Sequence, residues 1–79
     1  MERNCKLKEG DLILEYRKIG AKVLYYRKQK KWTQKRLAEI TGLSCYKISK
    51  IECGKDSYTL TTIFTLAKAF NIGYEKLIF

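Results

Sequence analysis

Histidine and proline are both absent from this 79-residue chain, and acidic residues are few, eight against 17 Lys and Arg. Without an imidazole there is no Ser-His-Asp triad, no Cys-His dyad and no histidine-bearing metal site. Cysteine is sparse as well. Cys5, Cys45 and Cys53 form no C-x-x-C pair and leave an odd thiol, unlike a disulfide-stapled secreted scaffold. If Cys45 and Cys53 share a helix, they stand about 12 Å apart, beyond disulfide reach. No apolar run approaches the roughly eighteen residues that cross a bilayer, and the polar start Met1-Glu2-Arg3-Asn4-Cys5-Lys6 is no secretory signal. These absences argue against an enzyme, and no cofactor, metal, membrane or small-molecule ligand is expected. The chain reads as cytoplasmic, with reduced thiols.

What is present is positive charge, unevenly placed. Met1 to Tyr16 carries three bases and four acids, and Asp56 to Phe79 carries two of each. Between them lie Arg17, Lys18, Lys22, Arg27, Lys28, Lys30, Lys31, Lys35, Arg36, Lys47, Lys50 and Lys55, opposed only by Glu39 and Glu52. The middle of the chain therefore holds the whole excess of +9. A gradient that steep points to a polyanionic partner, phosphate above all. Hydrophobic residues make up 46%, enough for one small core and against wholesale disorder.

With no proline and little β-branched alternation, the chain reads as all-α. Leu12, Tyr16, Ile19, Val23 and Tyr26 recur at spacings of four and three, one helical stripe over about Leu12–Lys30, with Asp11 as its N-cap. Gly20 weakens the expectation that its early turns are continuous. Residues 1–10 show no period and read as an arm preceding one domain over 11–79. Thr33 caps a second helix with Leu37 and Ala38 inward, which Gly42 ends in the left-handed conformation. Ser44 caps a third, anchored by Ile48 and Ile51 and closed by Gly54, which leaves Cys45, Tyr46, Lys47, Ser49, Lys50 and Cys53 facing out. Thr59 caps a fourth with Leu60, Ile63, Phe64, Leu66, Ala67 and Phe70 as its apolar face. Gly73 precedes a short fifth helix that ends Leu77-Ile78-Phe79.

Thr33-Gln34-Lys35-Arg36-Leu37-Ala38-Glu39-Ile40-Thr41-Gly42-Leu43-Ser44-Cys45-Tyr46-Lys47-Ile48-Ser49-Lys50-Ile51-Glu52-Cys53-Gly54-Lys55 resembles the helix-turn-helix of the phage repressor and Cro family, the XRE-type regulators. Ile19-Gly20 and Arg27 match that family's first helix, and Leu66-Ala67-Lys68-Ala69-Phe70 its fourth. The resemblance implies a five-helix, lambda-repressor-like DNA-binding domain. The residues have physical reasons of their own. Ala38 is small where the third helix crosses the second, Gly42 makes the tight turn, and Ile48 and Ile51 set the direction of the exposed face.

By that resemblance the third helix enters the major groove and the second spans the backbone. Carried over residue by residue, the base-contacting candidates are Cys45, Tyr46, Ser49 and Lys50. Lys50 suits guanine O6 and N7, and the ring of Tyr46 suits a thymine methyl. Cys45 departs from the larger polar residue usual in the family, and hydrophobic contact is its better use. Gln34 and Ser44 begin helices where free amides favour phosphate, with Lys47, Lys55, Lys35 and Arg27 or Lys28 adding charge. The resemblance also pairs Arg27 with Glu52 as a structural clamp. The implied partner is double-stranded DNA, bound by a homodimer. Candidate dimer surfaces are Leu77-Ile78-Phe79 with Phe64, or Leu12, Leu14 and Tyr16, although Leu77 reads better as core. The leading function is a sequence-specific transcriptional regulator of repressor type. The alternative is a helix-turn-helix interaction module, or an antitoxin, whose main partner is a protein.

Overall fold

The structure, a computed structural model, describes residues 13–55 and 59–79. Its described residues form five helices and no strand: α1 (Ile13–Gln29), α2 (Gln34–Thr41), α3 (Cys45–Glu52), α4 (Leu60–Phe70) and α5 (Glu75–Ile78). The all-α, five-helix expectation holds. The 1–10 arm, the Asp11 cap, Leu12 and Cys5 lie outside the described residues.

Each of the three central helices starts where a hydroxyl replaces a missing intrahelical acceptor. Thr33 Oγ1 accepts from the Arg36 amide at 3.0 Å, Ser44 Oγ from the Lys47 amide at 3.0 Å, and Thr59 Oγ1 from the Thr62 amide at 3.4 Å. Gly42 ends α2 at φ 80°, where a β-carbon would be strained, and its amide donates to Ala38 O at 2.8 Å. The Thr41 hydroxyl then stitches the turn, donating to Leu37 O at 2.8 Å and accepting from the Leu43 amide at 3.2 Å. Three residues, Gly42, Leu43 and Ser44, therefore carry the chain from α2 to α3, with the Gly42 and Leu43 amides engaged.

The core draws on every helix: Val23 from α1, Leu37 from α2, Ile48 and Ile51 from α3, Ile63, Leu66, Ala67 and Phe70 from α4, and Leu77 from α5. Tyr26 and Trp32 pack on Phe70, with ring centroids 5.8 and 6.1 Å away. α3 lies between α1 and α2, α4 backs α2, and α5 closes against α1 and α4.

The single first helix holds despite Gly20, and two expectations need correction. α1 is continuous through Gly20, which is buried and serves another purpose. A β-carbon there would sit inside 3.0 Å of Ile51 O and 3.1 Å from Glu52 O, so the glycine lets α1 touch the backbone at the end of α3. On α4 the buried stripe is narrower than expected, with Leu60 61% and Phe64 46% exposed. Leu60 opens the helix beyond the reach of the core cluster. Phe64 is turned out of the stripe, its ring meeting Tyr74 edge-on at 5.1 Å. On α3, Cys45, Tyr46 and Cys53 are exposed, but Lys47, Ser49 and Lys50 are half-buried.

Candidate nucleic-acid interface

At about 100° per residue, Cys45, Tyr46, Ser49 and Lys50 fall within one arc of α3 while Ile48 and Ile51 occupy the opposite side. Both isoleucines have no solvent exposure. Burying each contributes roughly 1.5–3 kcal/mol, which ties the helix down by its inner face and presents the four outer residues as a unit. The structure thus brings the expected base-facing set together on one surface. Lys50 Nζ lies 5.3 Å from the centre of the Tyr46 ring, one turn back.

A buried polar cluster secures the C-terminal end of α3. Arg27 Nε donates to Glu52 Oε2 at 2.6 Å and its second terminal nitrogen donates to Glu52 Oε1 at 3.0 Å. The remaining nitrogen donates to Trp32 O at 2.8 Å. Gln34 Nε2 adds a further donor to Glu52 Oε1 at 2.9 Å. One carboxylate is held from α1 and from the start of α2 together. The side chains of Arg27 and Glu52 are only 10% and 5% exposed, so both charges are compensated inside the protein. Next to them the Gly20 contact brings the backbones of α1 and α3 together, and Gly54, at φ 70°, lies against the stem of Arg17.

The geometry changes two of the expected phosphate positions. Arg27 leaves that set, because it is buried and all its nitrogens are spent on Glu52 and Trp32. Gln34 keeps its place at the start of α2, but its side-chain amide turns to Glu52, which leaves its backbone N–H as the group available to an anion. Ser44 is exposed at the cap of α3, with Lys47 in the first turn behind it. Lys35 is exposed in the first turn of α2, and Lys55 is exposed just beyond Gly54, its amide bonded to Lys50 O at 3.0 Å. Lys28 and Lys31 are exposed around the end of α1. Arg36 is drawn toward Glu39 at 3.5 Å.

Spacing alone missed three features: the amide of Gln34 on Glu52, the Trp32 carbonyl on Arg27, and the close approach at Gly20. A buried-flank glycine beside Ile19 was the one available signal for the last. Among the described residues, no group of three His, Cys, Asp or Glu side chains could hold a metal ion, and no helix is long and apolar enough to cross a membrane. Cys45 and Cys53 are free and exposed.

Two capped helices joined by a glycine turn, the second pinned from beneath and open outward, define a helix-turn-helix. The chain belongs to the helix-turn-helix family HTH_3, which matches residues 23–77. That family is one of DNA-binding transcriptional regulators and not of enzymes. The chain is 37% identical over 59 residues to the competence pilus inhibition repressor of Acinetobacter baylyi, a match spanning 75% of this chain and 54% of that protein. It thus covers about half the length of that relative. It is also 37% identical over 60 residues to control protein C.SmaI of Serratia marcescens, spanning 76% of this chain and 71% of that one. In structure it is similar to the restriction-modification controller protein C.AhdI of Aeromonas hydrophila, with a TM-score of 0.78 at 28% identity. That likeness covers 81% of this chain and 97% of the other.

Proposed function

We propose that this chain is a repressor that binds a double-stranded operator as a homodimer, with the outer face of α3 (Cys45, Tyr46, Ser49 and Lys50) against base edges in the major groove. The observation that carries the reading is the fixing of α3. Two isoleucines and a three-residue polar cluster immobilise a helix whose outer arc carries the exposed Cys45 and Tyr46 and the half-buried Ser49 and Lys50, inside the stretch that holds the chain's excess positive charge. Phosphates are met by the helix starts at Gln34 and Ser44 and by Lys35, Lys47, Lys55 and Lys28. The names of the Acinetobacter and Serratia relatives, a repressor and a control protein, support the regulatory role.

A monomer of this size reads about half a site, and the apolar surface left on α4 and α5 suits a second copy. Phe64, Tyr74 and Phe79 are exposed by 46%, 49% and 88%. Phe64 and Tyr74 flank an open groove floored by Ala67 and Ile72. Leu77 is excluded from this surface because it is fully buried, and of the second candidate set Leu14 is exposed but Tyr16 is half-buried. Sedimentation at tens of micromolar is expected to give twice 9.3 kDa, and a 9.3 kDa species would overturn the dimer.

Selection from a random duplex library tests the function as a whole. One preferred near-palindrome is expected. Against it, Lys50→Ala relaxes preference at one base pair of each half-site at a cost of roughly 1–3 kcal/mol, whereas Lys47→Ala weakens all duplexes alike. Salt-insensitive binding with no preference among duplexes would refute the reading in favour of a protein-interaction module.

A further inference from the structure

The geometry points to Tyr46 as the positioning residue for Lys50: the two form one guanine-reading unit, an inference that rests on the base-facing role of α3 proposed above. Both residues stand on the outer arc of α3, one turn apart, with the ammonium 5.3 Å from the ring centre. The ring remains 72% exposed, so it holds the lysine without being covered by the rest of the protein. Lys50, on the same outer arc, is only half-exposed.

That arrangement bears on a weakness of lysine as a base reader. Its ammonium is a point charge on a flexible stem, without the planar fork by which Arg selects guanine. Freezing such a stem on DNA costs side-chain entropy, and an ammonium that can wander satisfies a phosphate as readily as a guanine edge. Resting on the quadrupole of Tyr46, the Lys50 ammonium has a preferred position before DNA arrives. The attraction strengthens when the groove excludes water around it. The aromatic face, and not the phenol hydroxyl, is what this role requires. The edge of the ring stays open for a thymine methyl on the adjoining base pair, so one side chain places another while contacting its neighbour's base.

The test uses the full chain and the duplex returned by random-library selection, with every base pair of one half-site substituted in turn. Tyr46→Phe, Tyr46→Leu, Lys50→Ala and the Tyr46→Leu/Lys50→Ala double variant are compared with the unaltered protein, and thermal unfolding checks that each is folded. The expected result is that Tyr46→Leu lowers discrimination at the base pair assigned to Lys50 by about three- to tenfold. Tyr46→Phe should keep it, and the double variant should discriminate there no worse than Lys50→Ala alone. Independent losses at separate base pairs, or an equal loss in Tyr46→Phe and Tyr46→Leu, would overturn the coupling while leaving α3 as the reading helix. A Lys50→Ala variant with every base preference intact would overturn the base-reading role itself, and the coupling with it.

Discussion

Gly20→Ala offers the sharpest check on how α3 is held, because helix propensity and packing predict opposite signs. In a helix interior, replacing glycine with alanine gains about 1 kcal/mol. At this position the added methyl would sit inside 3.0 Å of Ile51 O, 3.1 Å from Glu52 O and 3.2 Å from Glu52 C. All three atoms are backbone, so no rotamer relieves the overlap, and α1 and α3 must separate by roughly 1 Å to regain van der Waals distance. Overpacking of this kind costs about 3 kcal/mol, the upper end of its usual range, which leaves a net destabilisation of about 2 kcal/mol. For a domain of this length that corresponds to a fall in Tm of roughly 8–16 °C. Ala21→Gly, on the exposed neighbouring position, is the matched control and loses only about 1 kcal/mol through propensity. Urea and thermal unfolding measure both. Because the displaced element is the proposed reading helix, Gly20→Ala should also weaken duplex binding at 25 °C, where most molecules remain folded. A Gly20→Ala protein more stable than the parent would refute the close approach and the account of how α3 is seated.

Further consequences are open to the same measurements. Arg27→Met strands the Glu52 carboxylate with only the Gln34 amide and should cost about 3–5 kcal/mol in urea unfolding. Adding Glu52→Met should recover part of that loss, and simple additivity would show that the pair is not coupled. Lys31 sits at φ 60°, a conformation unfavourable for a residue with a β-carbon, so Lys31→Gly should raise stability by about 1 kcal/mol; a fall in Tm would contradict the strain. If about six phosphates are neutralised, log K should decline with log salt at a slope of roughly −5, and a slope near zero would exclude the phosphate contacts. Thr59→Ala should lose about 1 kcal/mol of stability and no duplex affinity, whereas Ser44→Ala should lose both.

Features set by neighbouring residues were legible in the sequence. Thr33, Ser44 and Thr59 were readable as caps because a hydroxyl either reaches the amide three residues on or does not, and Gly42 because few residues tolerate its turn. The inward seats of Ile48 and Ile51 followed from the helical period. What escaped depended on partners distant along the chain. Gly20 looked like a weak point in a helix until the end of α3, more than thirty residues away, was seen against it. Arg27 carried two possible roles until burial and three hydrogen bonds left room for one. Periodicity placed Phe64 and Leu60 on an apolar face of α4 but could not say how far around that face, or how far along it, the core would reach. Tyr46 and Lys50 were visible one turn apart, yet their contact is a matter of rotamer and not of spacing.

The division of labour along α3 has a consequence for how such a molecule could change its target. The residues that fix the helix point inward or sit at its end: Ile48, Ile51 and Glu52, answered by Gly20, Arg27 and Gln34. Those proposed to meet bases point outward, and Cys45, Tyr46 and Ser49 form no part of the core. Stability and specificity therefore rest on nearly separate sets of side chains within one eight-residue helix. Substitution on the outer arc should alter what is bound while leaving the fold within about 0.5 kcal/mol, as surface changes generally do. Substitution on the inner set should lower stability first, and base preference only through the displacement of the helix. Lys50 and Tyr46 are the exception that the coupling predicts: losing the Tyr46 ring or the Lys50 ammonium alone should weaken preference at the same base pair, so installing a new preference there should require both to change together.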